Sequence, residues 1–395
     1  MLRVLTYSSL FPNSQRPTHG VFVAERLRHL RQHAGVDADV VAPVPWFPWT
    51  AARFGQYARF ASVAPVERHG EFTVHHPRHV VIPKVAMWTQ PGLMARGTRR
   101  CVEHVVSRKS SQLIDAHYLY PDGVAAAAIA QYLGLPYLLT ARGSDVNQIG
   151  EFTACRRRMM RAIAGASLTI TVSEALRRRL LDWGIRADRV VTIRNGIDRD
   201  KFNVQEQRHA RAALGLAHDG PVLLSVGKLD ANKGHHLVID ALAQLPAAQL
   251  LILGDGPARA QLASQVEQLR LGDRVRLLGA VPHEQLASYY AAASVLVLPA
   301  EREGLPNVVL ESLACGTPVV ATCVGGIPEV LTSSEAGELL MERTASAIVA
   351  AVGAVLARAV PRAAVAAQVR DFDWRRTSEQ LSQAMNEAVR RAARV

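Results

Sequence analysis

Short apolar runs alternate along this chain with stretches whose apolar residues fall at helical spacing. Leu2–Tyr7, Val40–Pro43, Leu113–Ala116, Tyr137–Thr140, Leu168–Val172 and Val190–Ile193 read as buried strands. Val21–His33, Val124–Leu133 and Glu174–Trp183 read as helices; Ser173 is a good N-cap for the last and Gly184 a good stop. After Asn195-Gly196 the pattern restarts. Strands are predicted at Val222–Val226, Gln249–Leu253, Val275–Leu278, Ser294–Leu298 and Pro318–Ala321, with helices at His235–Gln244, Arg259–Arg270 and Glu284–Ala292. A further helix, opened by Pro306 and stopped by Gly316, precedes the last strand. This alternation predicts an α/β protein with parallel sheets and helices on both faces. The restart predicts two Rossmann-like, doubly wound domains with a cleft between them, residues 1–193 and 194–370. Arg194-Asn195-Gly196-Ile197-Asp198 would link them, and 371–395 would be a terminal helix.

The length of 395 residues suits two such cores. Apolar residues make up 49% and charged ones 20%, which fits a soluble globular protein. The first residues read as a strand rather than a signal peptide, and Gly123–Ala141, the best candidate for a membrane span, is interrupted by Gln131, Gly134 and Pro136. Cys101, Cys155, Cys315 and Cys323 form no C-x-x-C pair, so the expectation is reduced thiols in a cytoplasmic protein without a zinc site. The net charge of +12 lies wholly in the first half: up to residue 190 there are 25 Lys plus Arg against 13 Asp plus Glu. Such a half can face an anionic membrane surface or nucleic acid, or be a solvated arginine-rich surface. No aromatic-basic RNA motif or helix-turn-helix signal accompanies it, so nucleic acid is not expected as a partner.

Candidate chemistry gathers at predicted strand ends. Glu303 lies in the loop after Ser294–Leu298, and Glu311 lies in the next helix. Ligands of open parallel sheets bind at that edge, carboxylates accept hydrogen bonds from sugar hydroxyls, and a helix start offers N–H groups to an anion. Lys228 and Lys233, two of only five lysines, follow another strand and could clamp a diphosphate. Neither a Walker A loop nor G-x-G-x-x-G is present. Gly254-Asp255-Gly256-Pro257 reads as a structural turn, and Gly325-Gly326-Ile327-Pro328-Glu329 as a loop lining the cleft. In the first half, His117 ends a strand, Gly20 precedes a helix, and Arg142 follows Tyr137–Thr140. A lone histidine is usually structural, but a strand's carboxyl end makes a functional role equally reasonable. Asp37-x-Asp39, Asp198-x-Asp200 and Asp371-x-Asp373 read as caps and turns, so no metal site is expected. Trp46, Phe47 and Trp49, followed by Arg53-Phe54, Tyr57 and Arg59-Phe60, suit a membrane interface or packing under a long loop.

Taken together, Glu303-x7-Glu311, the Lys228 and Lys233 pair after S-V-G, N-G-I-D, G-D-G-P, A-C-G-T-P-V-V-A (Ala314–Ala321) and G-G-I-P-E resemble the retaining GT-B glycosyltransferases of family 4, the group 1 glycosyltransferases. The resemblance spans nearly the whole chain and is looser in the first half. It implies a GT-B fold whose terminal helix crosses back to the first domain. It also implies that Glu311 holds ribose hydroxyls, Glu303 holds hydroxyls of the transferred sugar, and Lys228 and Lys233 neutralise the diphosphate. Gly304, Leu305, Asn307 and Val308 would meet sugar or phosphate through backbone N–H groups. Gly20 and His117 would complete the donor site, and Trp46, Phe47, Trp49 and Arg142 would serve acceptor or membrane. No cofactor or metal is implied beyond the nucleoside-diphosphate sugar itself. Three departures stand out. The first cation is Lys228 where the family more often has arginine; His19 precedes Gly20 where it often has paired glycines; and its T-x-H-G reads Thr140-Ala141-Arg142-Gly143.

The expected reaction moves a hexosyl unit to a hydroxyl with retained configuration by front-face attack. The acceptor would be a lipid-linked or growing saccharide of bacterial surface polysaccharide, met at the inner face of the plasma membrane. A GT-B nucleotide-sugar 2-epimerase is one alternative, against which the motif combination argues; a basic nucleic-acid-binding protein, suggested by the charge alone, is the second.

Overall fold

The computed structural model describes residues 1–394 except 52, 54, 82–86, 217 and 218. The chain forms two compact units, Met1–Asn195 with Trp374–Val395, and Gly196–Asp373.

In unit 1 the chain runs β1 (Arg3–Tyr7), α1 (Val21–Ala34), β2 (Asp37–Val41), β3 (Val44–Pro45), α2 (Gln56–Ser62), β4 (Val66–His69), β5 (Phe72–His75), β6 (Arg78–His79) and α3 (Gln90–Lys109). It continues with β7 (Leu113–His117), α4 (Val124–Leu133), β8 (Tyr137–Ala141), α5 (Ser144–Asn147), α6 (Thr153–Gly165), β9 (Leu168–Thr171), α7 (Glu174–Asp182) and β10 (Val190–Thr192). The large sheet has the order β10-β9-β8-β7-β1-β2-β5-β4, all parallel except the β4–β5 hairpin; β3 and β6 form a separate pair. Strands β7 and β8 are buried at every position because helices cover both faces.

Unit 2 contains α8 (Gln207–Ala213), β11 (Val222–Val226), α9 (His235–Ala243), β12 (Gln249–Leu253), α10 (Arg259–Gln268), β13 (Val275–Gly279), α11 (Leu286–Ala292), β14 (Val295–Leu298), α12 (Asn307–Ala314), β15 (Val319–Thr322), β16 (Gly337–Leu340), α13 (Ala345–Arg358) and α14 (Arg362–Ala367). Its sheet is wholly parallel, in the order β13-β12-β11-β14-β15-β16. The winding starts at β11, runs to one edge, then restarts at β14 on the other side. That reversal between β11 and β14 leaves a crevice at the carboxyl ends, where ligands of such sheets bind.

The last helix, α15 (Trp374–Ala392), belongs to unit 1. Leu381, Met385 and Ala388 join the core formed by Val23, Leu27 and Leu30 of α1, and Trp374 stacks on His29 at 5.0 Å. Burying a side chain of leucine size is worth about 1.5–3 kcal/mol, so this docking is substantial. Backbone bonds join Ile197 to Phe372, so unit 2's two ends meet.

Several elements depart from the sequence-based expectation. The longest helix of unit 1, α3, lies in a stretch where periodicity suggested none. Its buried positions include Pro91, Thr98 and Met94, so polar and imino residues hide the apolar stripe. Asp37 and Asp39 do not form a turn but lie in β2; Asp37 pairs with Arg31 at 3.6 Å and Asp39 with Lys109 at 3.9 Å. Lys109 and Arg31 supply the opposite charge that lets acids occupy a strand.

Candidate active site

Two loops at the reversal of unit 2 are zipped together. After β11 the chain makes a turn over Ala231–Lys233, capped by the Asp230 side chain on the Lys233 N–H. After β14 it runs through Pro299 to Gly304. Asn232 donates from Nδ2 to the Arg302 carbonyl and accepts the Arg302 N–H at Oδ1, both at 3.1 Å. Arg343 braces the same junction, donating to the carbonyls of Pro299 (2.7 Å) and Ala231 (2.8 Å). Only glycine fits at 234, because a Cβ would sit 2.4 Å from the Pro299 oxygen and φ is +72°, in the left-handed region. This stitching brings Lys233 onto Glu303 as a hydrogen-bonded ion pair with 21% and 10% of the side chains exposed.

Glu311 lies in α12, which runs from Asn307 to Ala314 and is capped at Cys315, with Gly316 beyond in the left-handed conformation. Its carboxylate is nearly buried and held from both sides: Tyr290 donates its hydroxyl at 2.8 Å, and His283 Nε2 approaches at 3.0 Å. Burial, and then Glu311, push the Tyr290 hydroxyl far above its ordinary pKa, so it remains a donor. A carboxylate has about four acceptor positions, so Glu311 keeps capacity for ligand hydroxyls. Gly304 and Leu305 are buried, whereas Asn307 and Val308 are half-buried at the helix start. Lys228 is more exposed and reaches Asp230 at 3.4 Å.

The glycine turns brace these loops. A Cβ on Gly325 would lie 2.1 Å from the Glu303 carbonyl oxygen, and Gly326 N–H bonds the Gly304 carbonyl. G-D-G-P packs against residues 227–229, with Leu229 N–H donating to the Asp255 carbonyl.

In unit 1, His117 is fully buried with both ring nitrogens engaged. Nε2 lies 3.1 Å from Asp115, and Nδ1 lies 2.5 Å from an Arg142 guanidinium nitrogen. Arg142 can only donate, so Nδ1 accepts and Nε2 carries the proton. Burial drives the His117 pKa down to about 4. Burial alone would raise Asp115, but His117, Arg26 and Arg142 overcome it and hold the carboxyl at about 2. Arg142 also reaches Asn195 at 3.2 Å. His117 and Arg142 are thus one network, the histidine buried and the arginine half-buried. Gly20 has a steric role: φ is +71°, and a Cβ would meet the Leu10 carbonyl at 2.3 Å. Trp46 and Trp49 are 55% and 57% exposed, whereas Phe47 packs against Tyr57 at 5.3 Å; Phe54 lies outside the described residues.

His19, His79, His117 and His235 are all depressed to about 4, chiefly by burial. Unfolded histidines titrate near 6.5, so between those values the unfolded chain binds protons that the fold refuses. Their contribution is complete above about pH 6.5 and lost as pH falls toward 4. Asp122, raised to about 7 by burial, pulls the other way, as do Asp39 and Asp145. Four imidazoles against these carboxyls give an expected net fall in melting temperature from pH 6.5 to 4.5; calorimetry that shows a rise would contradict the buried neutral histidines.

Residues 206–371 match the family model described as Glycosyl transferases group 1, and residues 19–201 that described as Glycosyltransferase Family 4. TuaC of Bacillus subtilis (strain 168), a glycosyltransferase named for teichuronic acid biosynthesis, is 30% identical over 334 residues, 82% of each chain. The chain belongs to the group 1 glycosyltransferases. This glycosyltransferase is also 35% identical over 207 residues to the D-inositol 3-phosphate glycosyltransferase of Mycobacterium leprae (strain Br4923), spanning 49% of this chain and 48% of that one. Its fold is GT-B. Sucrose-phosphate synthase from Thermosynechococcus elongatus matches with a TM-score of 0.81 over 98% of both chains at 23% identity. Anabaena Alr3699/HepE in complex with UDP-glucose matches at 0.71 over 98% of this chain and 100% of that one, at 20% identity.

Sequence reasoning missed several residues of the candidate site. Tyr290 and His283 hold Glu311 from 21 and 28 positions away, and Asn232 and Arg343 clamp the two loops. His235, also missed, accepts the Ser225 hydroxyl at Nδ1 (2.8 Å) and donates from Nε2 to the Lys228 carbonyl (3.3 Å), fixing the backbone that carries Lys228. Its place at the start of α9, directly after Gly234, was the available signal.

Proposed function

We propose that this glycosyltransferase moves a hexosyl unit from a nucleoside-diphosphate sugar to a hydroxyl of a saccharide or lipid-linked saccharide, with retained anomeric configuration. The observation that carries the reading is the Lys233–Glu303 pair clamped at the sheet reversal of unit 2, with buried Glu311 in the following helix. Glu311 receives ribose hydroxyls and Glu303 sugar hydroxyls. Lys228, Lys233 and the N–H groups at the start of α12 take the diphosphate. Negative charge grows on the departing phosphate oxygen, and preorganised cations stabilise it more in the transition state than in the ground state. That phosphate oxygen accepts the acceptor's proton as the new bond forms on the same face. The UDP-glucose complex of HepE supports the donor class, and TuaC's name supports a place in surface-polysaccharide assembly.

Thermal-shift titration with UDP-, GDP-, ADP- and dTDP-sugars in excess EDTA tests the reading. A donor at about 100 times its Kd adds roughly 2.7 kcal/mol and raises the melting temperature. Failure of every donor, or a rise that needs Mn²⁺, sinks the metal-independent donor site.

Among the described residues no helix is long and apolar enough to cross a membrane. Exposed Trp46, Trp49 and Trp88, with the positive first half, favour peripheral attachment at the cytoplasmic membrane face. The chain is expected to float with vesicles containing anionic lipid at low salt, and Trp46→Ser with Trp49→Ser to weaken this. No flotation at low salt points to a soluble acceptor.

A further inference from the structure

A cavity of about 140 Å³ lies in unit 1 among the loop after β1, the chain around β3, helix α2, strand β6 and the start of α3. None of the proposed donor residues of unit 2 lines it. Its polar groups include Asn13, Arg16, His19, His79 and Gln90, and its described lining holds no carboxylate. Phe60, Met94 and prolines supply the rest of the wall.

Two features mark it as built for a ligand. His79 is 2% exposed, and neither ring nitrogen has a partner at hydrogen-bond geometry. Burial pushes its pKa down to about 4, with the Val44 carbonyl opposing, so the imidazole is neutral and offers one N–H and one lone pair. The Val44 carbonyl can serve only one of the two ring nitrogens, and the other, buried without a partner, costs free energy that a polar ligand in the cavity recovers. Arg16 is half-buried, and no carboxylate among the described residues pairs with its side chain. Its guanidinium touches His19 Nδ1 at 2.8 Å and lies 5.9 Å from the Phe60 ring centre. Burial and the neighbouring Arg59 both disfavour its charged form, and an oxyanion would relieve both.

Size narrows the ligand. Whole small-molecule pockets span about 300–1,000 Å³. This cavity therefore suits one unit of a larger molecule, with apolar walls for a ring face and a cation for a charged substituent. We propose that it is a binding subsite for a single sugar unit that carries an oxyanion, a carboxylate or a phosphate. The proposal rests on the glycosyltransferase reading only in taking that unit to be part of the acceptor; binding itself needs no donor.

The test uses the full chain without nucleotide and measures binding of D-glucuronate, α-D-glucose 1-phosphate and neutral D-glucose by calorimetry and saturation-transfer NMR. At least one charged sugar is expected to bind about tenfold more tightly than glucose; which one does so identifies the oxyanion. Arg16→Gln, on a part-exposed loop, should remove that preference at an unchanged melting temperature, and His79→Phe should lower affinity for charged sugars by filling the cavity. Equal binding of charged and neutral sugars overturns the proposal. So does charged-sugar binding that survives Arg16→Gln but is lost in Lys233→Ala, since the probe then occupies the unit 2 site. UDP affinity of Arg16→Gln is measured alongside: its loss in the wild type as well would sink the donor reading while leaving this subsite standing.

Discussion

Lys233→Ala is expected to lower kcat by about 10²–10³ with little change in melting temperature, as for loss of one preorganised group that meets developing charge. Lys233 lies in a single turn with a fifth of its side chain exposed, so its removal leaves no cavity in the core. What it leaves is Glu303, a carboxylate with 10% of its side chain exposed and its cation gone. Without the Lys233 ammonium, that acid repels the diphosphate and loses the cation that offset part of its desolvation. Glu303→Gln in the Lys233→Ala background should therefore recover part of the lost rate, a coupling that a double-mutant cycle measures. Lys233→Arg should recover little, because the guanidinium is larger and its fork demands different geometry. A kcat for Lys233→Ala within about threefold of wild type would falsify the charge-neutralising role.

What could be read from the chain alone followed the locality of the signal. Glu303 and Glu311 share one strand, loop and helix, so strand-end position and helix caps place both. The unit 2 strands are short apolar runs bounded by glycine and proline, and all five read from periodicity are present; β16, Gly337–Leu340, was missed because only its two leucines are apolar. The first half hid more. The stretch from Val44 to Ser110 contains two-residue strands, a hairpin and the arginine-rich α3, none of which has a strong apolar period. Long-range partners were invisible for a different reason. Nothing near Glu311 in sequence announces Tyr290 or His283, since α11 and the turn before it bring them there only once the sheet has formed. His117 shows the reverse limit. Its strand-end position was legible and Asp115 lies two residues before it, but the Arg142 contact depends on β8 pairing beside β7.

Glu311→Ala is expected to weaken nucleotide binding by about 10² or more, read as the Kd for UDP or whichever nucleotide the donor screen selects. Hydrogen bonds to a charged group contribute about 1.5–3 kcal/mol each, and a diol uses two. The carboxylate also has a structural duty, because Tyr290 is 0% exposed and its hydroxyl donates to Glu311. Leaving that buried hydroxyl without an acceptor costs about 1–3 kcal/mol, so the melting temperature should fall as well. The two effects separate in Glu311→Gln. Its amide oxygen can still accept from Tyr290 and its shape fills the same space, so stability should largely return. The negative charge and half the acceptor capacity are gone, so nucleotide affinity should remain at least tenfold weak. A Glu311→Gln enzyme that regains both stability and nucleotide affinity would show that this acid serves the packing around Tyr290 and His283 and leaves the ribose to other groups.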